Sequence, residues 1–202
     1  GWHPVEPVEE RFGVRGGREV RRMLRFVRHG GVLCPLLPGR EQGTAVSYRW
    51  TGLEPWPGLD AIVGMNRART VGEFERALQA YALPAQNVLV ADRAGSIAYF
   101  CAGRFPRRGP GCAGAPLLEG ARPEHAWQGY LDWAEHPRAV NPAAGLLVTA
   151  NNRVAADLPP ALAGGFWEPP YRATRIAALL AGRTRLTPRD MAAIQADVLS
   201  LQ

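Results

Sequence analysis

The 202-residue chain contains no lysine: its 24 basic side chains besides histidine are all arginine. Set against 18 acidic residues they leave a formal charge of +6, a balance that would ordinarily raise nucleic acid as a partner. The arginines are scattered, however. Their densest spots, Arg21-Arg22, Arg107-Arg108 and Arg183/Arg185, are not interleaved with aromatics as in single-strand binding platforms. With Ala, Gly and Pro abundant as well, the missing lysine reads as a compositional bias of the whole chain, and no nucleic-acid role is expected. Serine is almost as scarce, at positions 47, 96 and 200 only, and none stands beside a plausible base. A complete hydroxyl-nucleophile system is therefore not expected within these residues.

Other absences narrow the field further. No apolar run reaches the length of a membrane span, and no charged-then-apolar leader opens the chain, so no membrane partner is expected. The start at Gly1 fits a processed, engineered or truncated product, and export is not legible from it. Cys34, Cys101 and Cys112 lack metal-ligand spacing and have no nearby histidine pair, which disfavours a zinc site. They leave open either three ordinary thiols or a Cys101–Cys112 disulfide in an oxidising compartment. His3, His29, His125 and His136 are widely separated, and His29 at a strand end reads as a satisfied structural histidine. No GxSxG, HExxH, phosphate-binding loop or dinucleotide fingerprint is present.

What is present is a chain 47% hydrophobic, enough for one domain with a real core. Residues 11–33 alternate apolar and polar around Gly16-Gly17, predicting a hairpin whose second strand ends at Gly30-Gly31. A proline-rich loop is expected through Pro35 and Pro38, then a strand at 46–50. Thr70 and Glu73 form a capping box ahead of a helix carrying Phe74, Ala77, Leu78 and Tyr81, stopped by Pro84. NVLVAD and SIAYF flank a tight turn at 93–95, and the stretch 103–123, dense in Gly and Pro, predicts an ordered surface loop. A strand is expected at 146–150, running into Asn151-Asn152. Two helices close the chain, from Tyr171 to Ala181 and from the Thr187 cap onward. The pattern is α+β, one unit without repeats, cut from something larger.

In order and spacing, these segments resemble the penicillin amidase family. The resemblance is carried by Asn87-x-x-x-Ala91-Asp92-x-x-Gly95-x-Ile97-x-Tyr99, Gly103-x-x-Pro106-x-Arg108, Trp127-x-Gly129, Asn141-Pro142 and Thr149-Ala150-Asn151-Asn152. Tyr171-Arg172-Ala173-x-Arg175-Ile176 and Gln195-x-Asp197 continue it, and Arg28-His29-Gly30-x-Val32-Leu33 and Arg49-Trp50-Thr51 extend it upstream. It implies part of an N-terminal-nucleophile αββα sandwich with antiparallel sheets, residues 1–202 forming a single partial domain inside a β-subunit. It also implies a periplasmic or secreted protein matured from a precursor. The remainder of the β-subunit and an α-subunit would be its partners, and an acyl amide its small-molecule substrate: a penicillin, an acyl-homoserine lactone or a lipopeptide.

The implied mechanism uses an N-terminal serine whose own α-amine activates its hydroxyl, so no histidine is needed. That serine has no counterpart in this chain and is expected upstream. The resemblance places the oxyanion donor on Asn151 and, on Arg172, an arginine that keeps the site in order. An arginine at a helix start sits poorly with the helix dipole, which favours a buried or site role for Arg172. Trp50 falls on an aromatic of the acyl pocket, and Gln86 on a position where relatives carry an apolar wall residue. The family's calcium would need a carboxylate near position 162, where this chain has Leu162 with Asp157 the only acid close by. No calcium ligand, and no other cofactor, is expected from this chain. The rival reading is a catalytically inert, arginine-rich binding module that keeps the fold.

Overall fold

The computed structural model describes residues 3–39, 43–56, 58–112 and 117–201. Two antiparallel sheets form the frame. The first has the order β1-β2-β3-β4: β1 (Glu6–Phe12), β2 (Val20–His29), β3 (Val32–Pro38) and β4 (Ala45–Ser47). The second has the order β5-β6-β7: β5 (Gln86–Ala91), β6 (Ile97–Ala102) and β7 (Arg138–Val140). Helices α1 (Gly58–Arg67) and α2 (Val71–Leu78) lie between the sheets in sequence, and α3 (Pro160–Ala163), α4 (Tyr171–Leu180) and α5 (Pro188–Gln195) follow them. The class is α+β, as the sequence pattern implies.

The hairpin expected at 11–33 forms, and it is longer. Glu6 pairs with Phe26 at one end and Phe12 with Val20 at the other, and the return to β3 passes through Gly30 and Gly31. The proline-rich loop is not a loop: Pro35 and Pro38 belong to β3. A proline forfeits only its N–H, and the Pro35 carbonyl still accepts from the Tyr48 amide while Pro38 ends the strand. The following strand is shorter than expected. It stops at Ser47, and residues 51–53 turn in a 3-10 helix.

The second sheet holds the core. β6 is buried on both faces, which explains its unbroken apolar run. Ala98, Phe100 and Ala102 face Val71 and Leu78 of α2, whereas Tyr99 and Cys101 face Leu158 and Leu162. Gly95 closes the β5–β6 turn at φ 90°, a conformation that suits glycine. Asp92 beside it accepts from Ala94 and Ser96 in the turn and from Val71 at the start of α2, so one carboxylate ties hairpin to helix. Those amides hold its carboxyl below the usual range, the Val71 bond contributing most.

Several boundaries differ from expectation. α2 ends at Leu78, and Tyr81 beyond it packs edge-on against Trp56 and against the same core as α2. Helix α1 has no counterpart in the sequence reading. Residues 146–150 form no strand; Leu147 packs into the second core cluster instead. The third strand is β7, locked in place where Asn141 exchanges hydrogen bonds with Ile97 through its amide nitrogen and its Oδ1. The loop after β6 is ordered as expected over its described part, with Arg107 held by Glu135 and Cys112 buried; residues 113–116 lie outside the described residues. The three cysteines are free, buried thiols. His29 is satisfied by Ser47 at 2.6 Å, and burial lowers its pKa. Among the described residues no helix is long and apolar enough to cross a membrane.

Candidate active site

The segment leading to Asn151-Asn152 ends in a compact knot. Asn151 adopts φ 64°, the left-handed conformation that Asn tolerates better than most residues. Its carbonyl accepts from the Glu168 amide at 2.9 Å, and Asn152 forms a parallel bridge with Glu168. The Asn152 side chain turns back, its Oδ1 accepting from the Ala150 amide at 3.0 Å. The backbone of Asn151 is thus fixed from both sides.

Arg172 stands in the first turn of α4, facing this knot. Its Nη2 donates to the Ala150 carbonyl at 2.9 Å and to Asn151 Oδ1 at 2.8 Å. A guanidinium only donates, so the atom facing it must be the amide oxygen. Asn151 Nδ2 therefore points the other way, and among the described residues nothing accepts from it. Arg172 is exposed, so of the two roles expected for it the buried one does not hold; the dipole conflict is relieved because the guanidinium leans onto two oxygens outside the helix. Arg175, one turn on, holds Asp197 through two hydrogen bonds and so joins α4 to the segment after α5.

Trp50 and Gln86 lie elsewhere. Trp50 precedes the 3-10 turn, 47% exposed, its ring lying so close over Gly52 that a Cβ there would come within 2.5 Å. Gln86 opens β5 opposite Ala102 and is exposed. Among the described residues no hydrogen bond joins either to Asn151 or Arg172. A cleft of about 760 Å³ opens over Tyr99 and residues 154–160, and none of the four candidates lines it.

Around Trp50 stands a cluster that sequence reasoning missed. Glu54, its side chain 13% exposed, receives Arg49 at 2.5 Å, Arg104 at 3.4 Å and the Tyr130 hydroxyl. Burial, followed by the Glu54 hydrogen bond, raises the Tyr130 pKa. The partners are separated by up to 76 positions, so linear spacing carries no sign of them.

Leu162 is packed in the second core cluster, and among the described residues no three acidic, histidine or cysteine side chains converge.

The knot at Asn151 sits in a chain whose whole length matches one family. A family model described as penicillin amidase matches residues 1–202. Penicillin acylase 2 proenzyme of Pseudomonas sp. (strain SE83) is 35% identical over 98% of this chain and 25% of its own length. Acyl-homoserine lactone acylase QuiP of Pseudomonas aeruginosa is 30% identical over 99% of this chain and 24% of its own. The fold is similar to that of a thermostable penicillin G acylase from Alcaligenes faecalis, with a TM-score of 0.71 and 22% identity, covering 94% of this chain and 34% of that one. The chain thus spans about a quarter of the length of these curated relatives. On these grounds the chain belongs to the penicillin amidase family.

Proposed function

We propose that residues 1–202 are an interior segment of the β-subunit of an acyl-amide hydrolase, whose serine nucleophile is supplied by a part of the protein upstream. The observation that carries this reading is the Arg172–Asn151 pair. It leaves an amide N–H₂ on a fixed backbone, directed away from its own partner and available to a developing oxyanion. In the reaction the nucleophile attacks the amide carbonyl. Negative charge collects on the carbonyl oxygen, and Asn151 Nδ2 donates to it. Collapse expels the amine, and water then releases the acid from the acyl-enzyme.

The substrate class is an acyl amide of the kind named for the relatives, a penicillin or an acyl-homoserine lactone, or a lipopeptide; the compartment is periplasmic or extracellular.

Asn151→Ala in the intact enzyme tests this. It should lower kcat by roughly 10²- to 10³-fold, the usual cost of losing one oxyanion donor, with maturation and folding intact. Because Asn151 has positive φ, Asn151→Gly is the matching control: it relaxes the backbone, yet should lose as much. A loss below about threefold in both would remove Asn151 from the mechanism.

A further inference from the structure

The 3-10 turn that carries Trp50 is closed by an ion pair. Arg49 stands immediately before Trp50, Glu54 immediately after the turn Thr51–Leu53, and their side chains meet at 2.5 Å. Within the turn, the Leu53 amide donates to the Trp50 carbonyl and the Glu54 amide to that of Thr51. The clasp is fastened outward to β2 and to the chain beyond β6. Arg49 Nη1 donates to the carbonyl of His29 at the end of β2. The Arg49 guanidinium also lies over the Trp127 ring, 4.6 Å from its centroid. From the loop beyond β6, Arg104 and Tyr130 both reach Glu54, and Arg104 stacks on the Tyr130 ring at 4.4 Å.

Donors from three separated stretches of chain thus converge on one carboxylate. Such a group is poorly replaced: without its charge, Arg49 and Arg104 face each other in a half-buried space with nothing between them. Trp50, by contrast, has one face on Gly52 and is otherwise 47% exposed, so the turn beneath it is what sets its position.

We infer that Glu54 is a positioning residue for acyl selectivity, holding the Arg49–Glu54 turn so that Trp50 presents its ring to the acyl group. This rests on the reading of Trp50 as part of the acyl pocket. Glu54 touches no substrate. It acts on binding of the acyl group and leaves the chemistry at Asn151 and Arg172 alone.

The test uses the intact enzyme and a series of acyl amides of one chromogenic amine, graded in acyl length and aromaticity. Glu54→Gln should raise KM for the preferred acyl group roughly fivefold or more and flatten the preference, with kcat within about twofold. In a Trp50→Ala background the same change should add nothing further, because both act through one ring. Tyr130→Phe, which removes a single donor, should shift KM in the same direction by less, and it decides by the same criteria where Glu54→Gln does not fold. If Trp50→Ala alters the acyl profile but the Glu54 and Tyr130 variants do not, or their effects add to it in full, the positioning role is overturned while the pocket reading stands. If Trp50→Ala itself leaves the profile unchanged, the pocket reading fails and the positioning role falls with it.

Discussion

Arg172 Nη2 lies 2.8 Å from Asn151 Oδ1 and 2.9 Å from the Ala150 carbonyl, so one nitrogen grips both a side chain and the backbone that carries it. The grip decides which end of the Asn151 amide faces away. Without it, the two orientations of the amide become closer in energy, and only one would serve the proposed oxyanion role. Arg172→Ala is expected to lower kcat roughly tenfold or more, with KM little changed. Arg172→Lys should recover part of the loss, since an ammonium can still donate to both oxygens but lacks the planar fork. Single-turnover kinetics of the matured enzyme check this; equal losses in both variants would mean that the guanidinium shape, not donation, is what counts.

The same geometry makes Asn151→Asp worse than Asn151→Ala. On the proposed oxyanion role, the carboxylate would keep its bond to Arg172 but offer the reacting carbonyl an acceptor in place of a donor. Repulsion adds to the lost hydrogen bond. A kcat below that of the alanine variant, measured above pH 6 where the aspartate is ionised, is the expected result.

Much of this was legible in the sequence because its signals are local. The Thr187 cap with Asp190, Gly95 in its turn and the alternation of β1 and β2 each decide a conformation from neighbouring residues, and each stands in the structure. The strand expected at 146–150 is absent, and of its apolar side chains Leu147 packs into the Tyr99–Leu162 cluster while Leu146 stays exposed, a tertiary choice that a run of apolar residues does not reveal. Pro35 misled in the opposite direction, since a carbonyl still in the ladder keeps a proline inside a strand. The Glu54 cluster was invisible because Arg104 and Tyr130 reach it from another part of the chain. Asn151 and Arg172 were found through resemblance; composition and spacing alone gave no reason to pair them.

His136 gives the fold a defined response to acid. It is 7% exposed, with Nδ1 3.1 Å from the Cys101 carbonyl and rings of Phe105 and Trp133 about it. Burial is the chief cause of its lowered pKa, with Arg138 adding to it and Glu135 opposing. Since the folded value lies below the unfolded one of about 6.5, the unfolded state takes up its proton first as pH falls. Stability is therefore complete above about pH 6.5 and declines below it. Urea unfolding between pH 7.5 and 5 should show that decline, and His136→Gln should flatten it. His29, depressed for the same reason, leaves a residual slope of the same sign.

The Arg175–Asp197 pair predicts a loss of the same sign in a more acid window. Asp197 meets Arg175 at 2.9 and 2.8 Å, and that partner holds its carboxyl below the usual range. A depressed carboxyl contributes stability above its unfolded value of about 3.9, and this is lost as pH falls through the folded value. Asp197→Asn should lower the melting midpoint at pH 7 by a few degrees, the scale of a well-formed but partly solvated ion pair. As pH is taken progressively below about 4, the two midpoints should converge. A gap that stays constant into acid would assign the loss to packing of the asparagine.

The β1–β2 ribbon makes the 202-residue chain prone to self-association when expressed by itself. β1 is an edge strand of the first sheet, and the register places Val8 opposite Leu24 and Phe12 opposite Val20 on one face. Phe12 is 49% and Leu24 39% exposed, so that face is open to solvent along a strand with an unpaired edge. Glu9, Arg11 and Arg21 project from the other face, where Glu9 meets both arginines. Light scattering after size exclusion should therefore show species larger than the 22.0 kDa chain, growing with concentration. Phe12→Lys with Leu24→Glu puts opposite charges on the apolar face without breaking the hairpin and should restore the monomer. A wild-type chain that elutes as a single monomer and unfolds cooperatively would show that the ribbon needs no cover, and that β1 is already protected by its own charge and twist.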